Sequence, residues 1–314
     1  MKILITGGAG FIGSHLADRL VDQGDEVLVI DNFATGRRDN LSPRAGLTLV
    51  EGTIADQGLV DSTFDEFQPD QVVHAAASYK DPSDWTEDAR TNVLGTCHIV
   101  AATRRVGAKR LIYFQTALCY GLRPQEQPIR LDHPLDPRGS SYAISKTAGE
   151  NYIALSGLEF VSFRLANCYG PRNISGPLPT FYSRLTAGKP CFCVDTRRDF
   201  VFIDDLLSVV LRSLAGRGGS GYYHISSGRD FSIQELYDAT VSALGLPPDP
   251  NVEVRPRSPD DAFTILLDPS RTNDDFAWQT ETPLKTGVAA AVEYYRQFGV
   301  TQTYTHLREM AAKH

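Results

Sequence analysis

The chain has 314 residues, 42% hydrophobic and 22% charged, enough for a large core as one domain or as a major domain with a smaller partner. Its formal net charge of −7 argues against a generic nucleic-acid binder, and basic clusters such as Arg104-Arg105 with Lys109-Arg110 read as solvated helix ends. Five scattered cysteines make no disulfide framework and no apolar run approaches the ~18 residues that span a membrane, so a cytoplasmic enzyme with no membrane and no nucleic-acid partner is the expectation.

The chain opens MKILITGGAGFIGSHLADRL. Lys2–Thr6 reads as a short buried strand, and Leu16, Ala17, Leu20 and Val21 then recur at helical spacing up to Asp22. A secretory signal would stay apolar where this segment breaks into glycines. Gly8, Gly10 and Gly13 fit G-x-G-x-x-G, and Gly7, Gly10 and Gly13 fit G-x-x-G-x-x-G. Glycines between strand and helix permit a tight turn, close approach of a pyrophosphate and close helix–strand packing. The pyrophosphate would rest on the free N–H groups of the helix start. Asp31 ends the next apolar run, EVLVID (26–31), 18 positions past Gly13, where a carboxylate bonds an adenosine ribose and repels a 2′-phosphate. NAD+ is therefore expected over NADP, with Arg37-Arg38 the one nearby feature that suits the phosphate.

Further strand-like runs are LTLVEG (47–52), QVVHAAA (71–77), RLIYFQT (110–116), LEFVSFRLAN (158–167) and YYHISSG (222–228). Helix-like stretches such as 89–105 and 141–155 lie between them. Apolar strands alternating with helices predict an α/β fold, a Rossmann-type doubly wound parallel sheet buried on both faces. The alternation weakens after Asn167. Segment 168–198 is rich in Gly, Pro and aromatics, and 245–262 in Pro and Asp. The expected division is an NAD-binding part over 1–168 plus about 199–228, with a smaller interleaved C-terminal substrate lobe over about 169–198 plus 229–314.

SSYAISKTAGE places Tyr142 and Lys146 four apart, on one face of a predicted helix, downstream of a strand ending in Thr116. A tyrosine titrates near pH ~10 and acts as a base near neutrality only where positive charge favours its phenolate. Lys146 and an oxidised nicotinamide would supply that charge. No metal is expected: the seven histidines lack ligand spacing, and Cys191-Phe-Cys193 reads as strand packing.

TGGAGFIG, VIDNF, HAAA, TNVLGT, QTALCYG, YAISK, FRLANCYGPR, RRDFVFIDD and LDPSR resemble, in this order and over essentially the whole chain, landmarks of the extended short-chain dehydrogenase/reductases, specifically the nucleotide-sugar epimerase/dehydratase family. The resemblance implies that Thr116, Tyr142 and Lys146 are catalytic. It places Phe11, Ile12, Asn32, Thr53, Ile54, Ala75, Ala76, Ala77 and Leu165 with the glycines and Asp31 along the cofactor, and Asn92 as a buttress counted with them. Thr53 stands where relatives often have aspartate. Lys80, Thr116, Cys119, Asn167, Leu178, Arg198, Arg257 and Asp260 fall on the substrate side, the last five where the family holds a nucleoside diphosphate. Two arginines suit that role, since a diphosphate needs fixed cationic donors. A homodimer through a four-helix bundle is also implied.

The implied chemistry is transient oxidation of a sugar at C4, with Tyr142 taking the hydroxyl proton and NAD+ recycled. UDP-GlcNAc or a similar UDP-hexosamine is the expected substrate. The family's 4,6-dehydratases carry Asp-Glu after the catalytic threonine; Ala117-Leu118 here cannot transfer a proton, which favours 4-epimerisation. The strings AASYKDP, FQTALCYG and SSYAISK are similar to two smaller groups, the O-antigen sugar epimerases and the tunicamycin-pathway NDP-hexosamine 5,6-dehydratase. The second outcome stays open, with Cys119, Lys80 or Tyr142 as movers of a C5 proton. A simple NAD(P)H-consuming reductase and a non-catalytic NAD-binding regulator are the lesser alternatives.

Overall fold

The apolar strands read from the sequence lie side by side in one sheet. A computed structural model describes residues 1–258, 261–300 and 303. The chain runs β1 (Lys2–Thr6), α1 (Phe11–Asp22), β2 (Glu26–Asp31), β3 (Leu47–Glu51), α2 (Gln57–Phe67), β4 (Gln71–His74), α3 (Trp85–Asp88), α4 (Thr96–Val106), β5 (Arg110–Thr116), α5 (Ser141–Leu155) and β6 (Phe160–Leu165). It continues through β7 (Asn167–Tyr169), α6 (Pro177–Thr186), β8 (Phe192–Val194), β9 (Arg197–Arg198), β10 (Phe200–Phe202), α7 (Ile203–Leu214), β11 (Gly221–Ile225), β12 (Phe231–Ser232), α8 (Ile233–Leu244), β13 (Glu253–Arg255), α9 (Ser270–Phe276) and α10 (Leu284–Phe298).

Seven strands form an all-parallel sheet in the order β11-β6-β5-β4-β1-β2-β3. Successive residues of β1 face opposite sides: Ile3 and Ile5 join a core with Leu16 of α1 and Leu206 of α7, whereas Leu4 joins one with Phe64 of α2, Ile99 of α4 and Ile153 of α5. Burial on both faces is what requires strands apolar at nearly every position. Strand order reverses between β1 and β4, and the crevice above that switch is where such folds bind ligands.

Three elements depart from the sequence reading, each for a local reason. The strand expected over 71–77 ends at His74, and Ala75, Ala76 and Ala77 leave the ladder to border the crevice. The helix expected over 89–105 is a π-helical turn (Ala89–Gly95) followed by α4, with α3 running into it from Trp85. A Cβ at Gly95 would sit 2.6 Å from Ile54 Cγ1, so close approach there depends on glycine. The run 158–167 breaks at Ala166, because the Asn167 amide bonds Asp199 O (2.9 Å) and the chain leaves the sheet to pair β7 with β10.

The remaining short strands pair as β8 with β13 and β9 with β12. Residues of β8, β9, α6 and the start of α8 form the opposite wall of the crevice, with β12, β13 and α10 packed behind them. Ring contacts Phe181–Tyr237 (5.3 Å) and Tyr182–Tyr295 (5.2 Å) join these helices. Helix α8 starts at a full capping box, with Ser232 and Glu235 each accepting the other's backbone N–H.

Candidate active site

The crevice is a cleft of about 770 Å³ floored by the C-terminal ends of the sheet strands. Gly7, Gly10, Phe11, Ile12 and Gly13 border it at the start of α1. Gly7 has φ +68°, and a Cβ there would meet Ala76 N at 2.7 Å; a Cβ on Gly13 would meet Gly7 O at 2.4 Å. No side chain caps α1 at Gly10, so its first N–H groups are left for an anion. This cradle fits a dinucleotide pyrophosphate.

Asp31, 7% exposed, accepts hydrogen bonds from Ala9 N and Phe33 N, both 2.8 Å. Burial raises its pKa, against those backbone bonds. Asn32, Thr53 and Ile54 border the cleft beside it. Arg37 and Arg38 do not: Arg37 pairs with Asp39, and Arg38 pairs with Glu51 and lies 4.2 Å over the Phe33 ring. The feature that suited a 2′-phosphate is committed to neighbouring carboxylates.

Thr116, Tyr142 and Lys146 all border the same cleft, with Leu165 and the three alanines. Thr116 ends β5, where its Oγ1 accepts from Leu118 N (3.2 Å). Helix α5 is started by Ser140, whose Oγ accepts from Ala143 N (3.1 Å), and that start sets Tyr142 and Lys146 on the cleft side. The Tyr79 ring meets Tyr142 edge-on at 6.5 Å. Desolvation, with Tyr79 and Asp88 nearby, raises the Tyr142 pKa. Lys146 is 2% exposed, and desolvation pushes its ammonium down to about 7, opposed by Glu150. Glu150 is itself buried, bonded to Arg164 (2.9 Å) and Ser162.

Cys119 and Arg257 are corrected as contacts of this cleft, and Asn92 is placed as a buttress without bordering it. Cys119 is fully buried among Ile129, Ala262 and Leu267 and does not border the cleft; the helical turn Ala117–Tyr120 presents Ala117 and Leu118 to the cleft and turns the thiol inward. Burial raises its thiol pKa strongly, which makes it a poor proton carrier. Asn92 stands behind the wall. Its amide donates to Ser78 O and Ser145 Oγ (both 3.0 Å) and accepts from Ser78 N (2.9 Å), tying the 75–80 loop to α5. Arg257 borders a separate cavity of about 460 Å³, beside Phe263.

Lys80, Asn167, Leu178 and Arg198 do border the main cleft. Arg198 is held by Asp261 (2.6 Å) and Ala262 O (3.1 Å), and desolvation lowers its pKa. Asp260 lies outside the described residues. Sequence reasoning missed Tyr79, Gln115, Phe192 and Val194, which also border the cleft. The alternation in CFCV held the signal for two of them: it buries Cys193 and turns Phe192 and Val194 to the ligand side. Among the described residues no group of three or more His, Cys, Asp or Glu could hold a metal ion.

The sequence profile of the NAD dependent epimerase/dehydratase family matches residues 3–225. UDP-glucose 4-epimerase of Mycolicibacterium smegmatis is 33% identical over 313 residues, covering 94% of this chain and 99% of that protein. The crystal structure of the Bordetella bronchiseptica enzyme WbmH in complex with NAD+ is 56% identical with a TM-score of 0.93, over 95% of this chain and 99% of that one. WbmG of the same organism, in complex with NAD and UDP, is 47% identical with a TM-score of 0.90, over 98% and 99%.

Proposed function

Because the chain belongs to the NAD-dependent epimerase/dehydratase family, we propose that it inverts C4 of a UDP-hexosamine, UDP-GlcNAc or a close analogue, through a transient 4-keto sugar. NAD+, held by Gly7–Gly13, Asp31 and Ala75–Ala77, supplies a hydride acceptor that is restored within each turnover. Tyr142 takes the proton of the sugar 4-hydroxyl and later returns one. Thr116 Oγ1 hydrogen-bonds the same oxygen, and the Lys146 ammonium favours the phenolate. The carrying observation is that Thr116, Tyr142 and Lys146, from β5 and α5, border one cleft with the glycine cradle. Residues 1–168 plus about 199–228 would hold the cofactor, and the wall with Leu178, Phe192 and Arg198 the nucleoside diphosphate.

Epimerisation is favoured over dehydration by the three residues after Thr116. Ala117 and Leu118 border the cleft without a transferable proton, and Cys119 faces away. The 5,6-dehydratase reading survives on Lys80, which borders the cleft, and on Tyr142 itself. Incubation of enzyme, NAD+ and UDP-GlcNAc separates them: a product of unchanged mass with a new sugar NMR pattern is epimerisation, and a product lighter by one water is dehydration. Unreacted UDP-GlcNAc rules out that sugar, and full turnover by Tyr142→Phe rules out the base.

A homodimer in the cytoplasm belongs to the same proposal. Ile144, Tyr152 and Leu155 on α5 are 50%, 47% and 82% exposed, and Leu94 of the π-helical turn is 46% exposed, a stripe of large apolar side chains suited to a helical partner face. No helix among the described residues is long and apolar enough to cross a membrane. Analytical ultracentrifugation showing a monomer at micromolar concentration would remove the dimer.

A further inference from the structure

We propose that the ring of Tyr113 is a positioning element of the catalytic pair, an electron-rich seat on β5 that holds the Lys146 ammonium. Lys146 Nζ lies 3.9 Å from the centroid of the Tyr113 ring, over its face. The Tyr113 hydroxyl donates to Lys146 O at 3.0 Å. One side chain thus fixes both the backbone and the head of the lysine. Tyr113 is fully buried three residues before Thr116, on the sheet face covered by α5. Its place in the chain ties the seat to the strand end that carries the hydroxyl.

The lysine needs such a seat. It is almost wholly buried, and a buried ammonium without compensation loses its proton. Glu150, one turn along α5, supports the charge, but its carboxylate is shared with Arg164 of β6 and Ser162. Beside the ring, across the β4–β5 ladder, stands His74 of β4, its centroid 5.4 Å from that of Tyr113. His74 is fully buried between Thr6 Oγ1 (2.7 Å) and Thr96 Oγ1 (2.9 Å), and burial keeps it neutral, so it adds no competing cation. Tyr142 completes the set on α5, and Asp88 of α3 acts on Tyr142. An aromatic face attracts a cation without carrying a charge of its own, and the attraction grows when both are desolvated.

Gly149 is what lets α5 settle onto the ring. A Cβ there would lie 3.0 Å from the Tyr113 hydroxyl and 2.7 Å from Asn92 O. A larger residue would lift the helix from its seat.

The inference rests on the assignment of Tyr142 and Lys146 as the working pair, so Tyr142→Phe is measured in parallel. The active form has Tyr142 ionised and Lys146 protonated. Losing the ring's attraction lowers the Lys146 pKa, so the alkaline limb of kcat moves to lower pH. A less charged lysine supports the phenolate less, so the acid limb moves to higher pH. Tyr113→Phe keeps the ring and should leave both limbs in place. Tyr113→Met fills a similar volume without a ring and should narrow the bell by on the order of one pH unit at the alkaline side, with KM for the nucleotide sugar little changed. A series of fluorinated phenylalanines at 113, which drains the ring's face while preserving its shape, should move the limbs in graded steps. This series keeps the test valid if Tyr113→Met fails to fold. Limbs that stay fixed across the fluorinated series overturn the seat while leaving Tyr142 intact; turnover by Tyr142→Phe overturns the pair itself.

Discussion

Replacing Lys146 by methionine should abolish turnover and make the protein more stable, by an amount that depends on pH in a stated direction. Lys146 has a folded pKa of about 7 against 10.5 for a free lysine, because burial penalises its ammonium. Below pH 7 both folded and unfolded chains carry the proton, and the folded state bears the full penalty. Between about pH 7 and 10.5 the folded chain gives up its proton first, the unfolded state binds more protons, and stability rises with pH. At 1.36 kcal/mol per pKa unit the gap corresponds to at most about 4–5 kcal/mol. The Tyr113 ring pulls the real value below that bound, since it favours the ammonium. Methionine has no charge to desolvate and retains most of the buried stem. The gain in Tm over the parent chain should reach several degrees, at most roughly 10 °C, at pH 6, and vanish toward pH 10.5. Scanning calorimetry of both chains at pH 6, 7.5 and 9 measures it. A difference in Tm that is flat with pH, or a Lys146→Met protein less stable throughout, refutes the claim that the fold strains this charge.

Gly13→Ala should weaken NAD+ binding by at least about tenfold (1.4 kcal/mol), because the new Cβ would lie 2.4 Å from Gly7 O and 2.6 Å from Gly8 Cα and must push α1 from the turn; an unchanged Kd in titration calorimetry would contradict the cradle. Cys119→Ala should keep kcat within about twofold and cost about 1 kcal/mol of stability, the loss of one small buried group. A tenfold fall in kcat would return the thiol to the reaction. Glu150→Gln leaves the Arg164 guanidinium, 4% exposed, without its charge partner and should cost about 3–5 kcal/mol in urea denaturation. A loss below 1 kcal/mol would mean that Tyr120, which Arg164 also contacts at 2.6 Å, carries the charge instead.

The sheet was legible because its signal is local. Double burial demands apolar residues at most strand positions, and β1, β5 and α5 begin and end where the pattern says. Glycines at a strand–helix turn are legible for a similar reason: Gly7 is needed for its φ of +68° and Gly13 for its close approach to Gly7 O, both local to the turn. What the sequence could not show is which way a side chain turns where periodicity stops. Cys119 comes three residues after Thr116, yet the helical turn there buries it with Leu267, more than a hundred residues away. Arg257 and Arg198 are alike as cationic donors in sequence, and only the fold places Arg198 in the main cleft and Arg257 in a neighbouring cavity. Asn92, expected as a buttress, has side-chain hydrogen bonds that all go to Ser78 and Ser145, partners that spacing alone does not name.

Charge state was the least legible property, because it belongs to packing between distant segments. Spacing alone gives a tyrosine and a lysine on one helix face, with no hint that the fold opposes the working form of both. The closed interface of α5 with β5 pushes the phenol up and the ammonium down, so the chain by itself shifts both groups toward their neutral forms. An open site would avoid that cost, but water would then screen the field that lysine exerts on the phenol. Burial makes the same charge act more strongly, and the Tyr113 ring, Glu150 and Gly149 are the residues through which this fold keeps the charge while burying it. Their positions in β5 and α5 are ordinary by hydropathy. It is the register of a strand against a helix, set by contacts along the whole sheet, that makes them part of the chemistry.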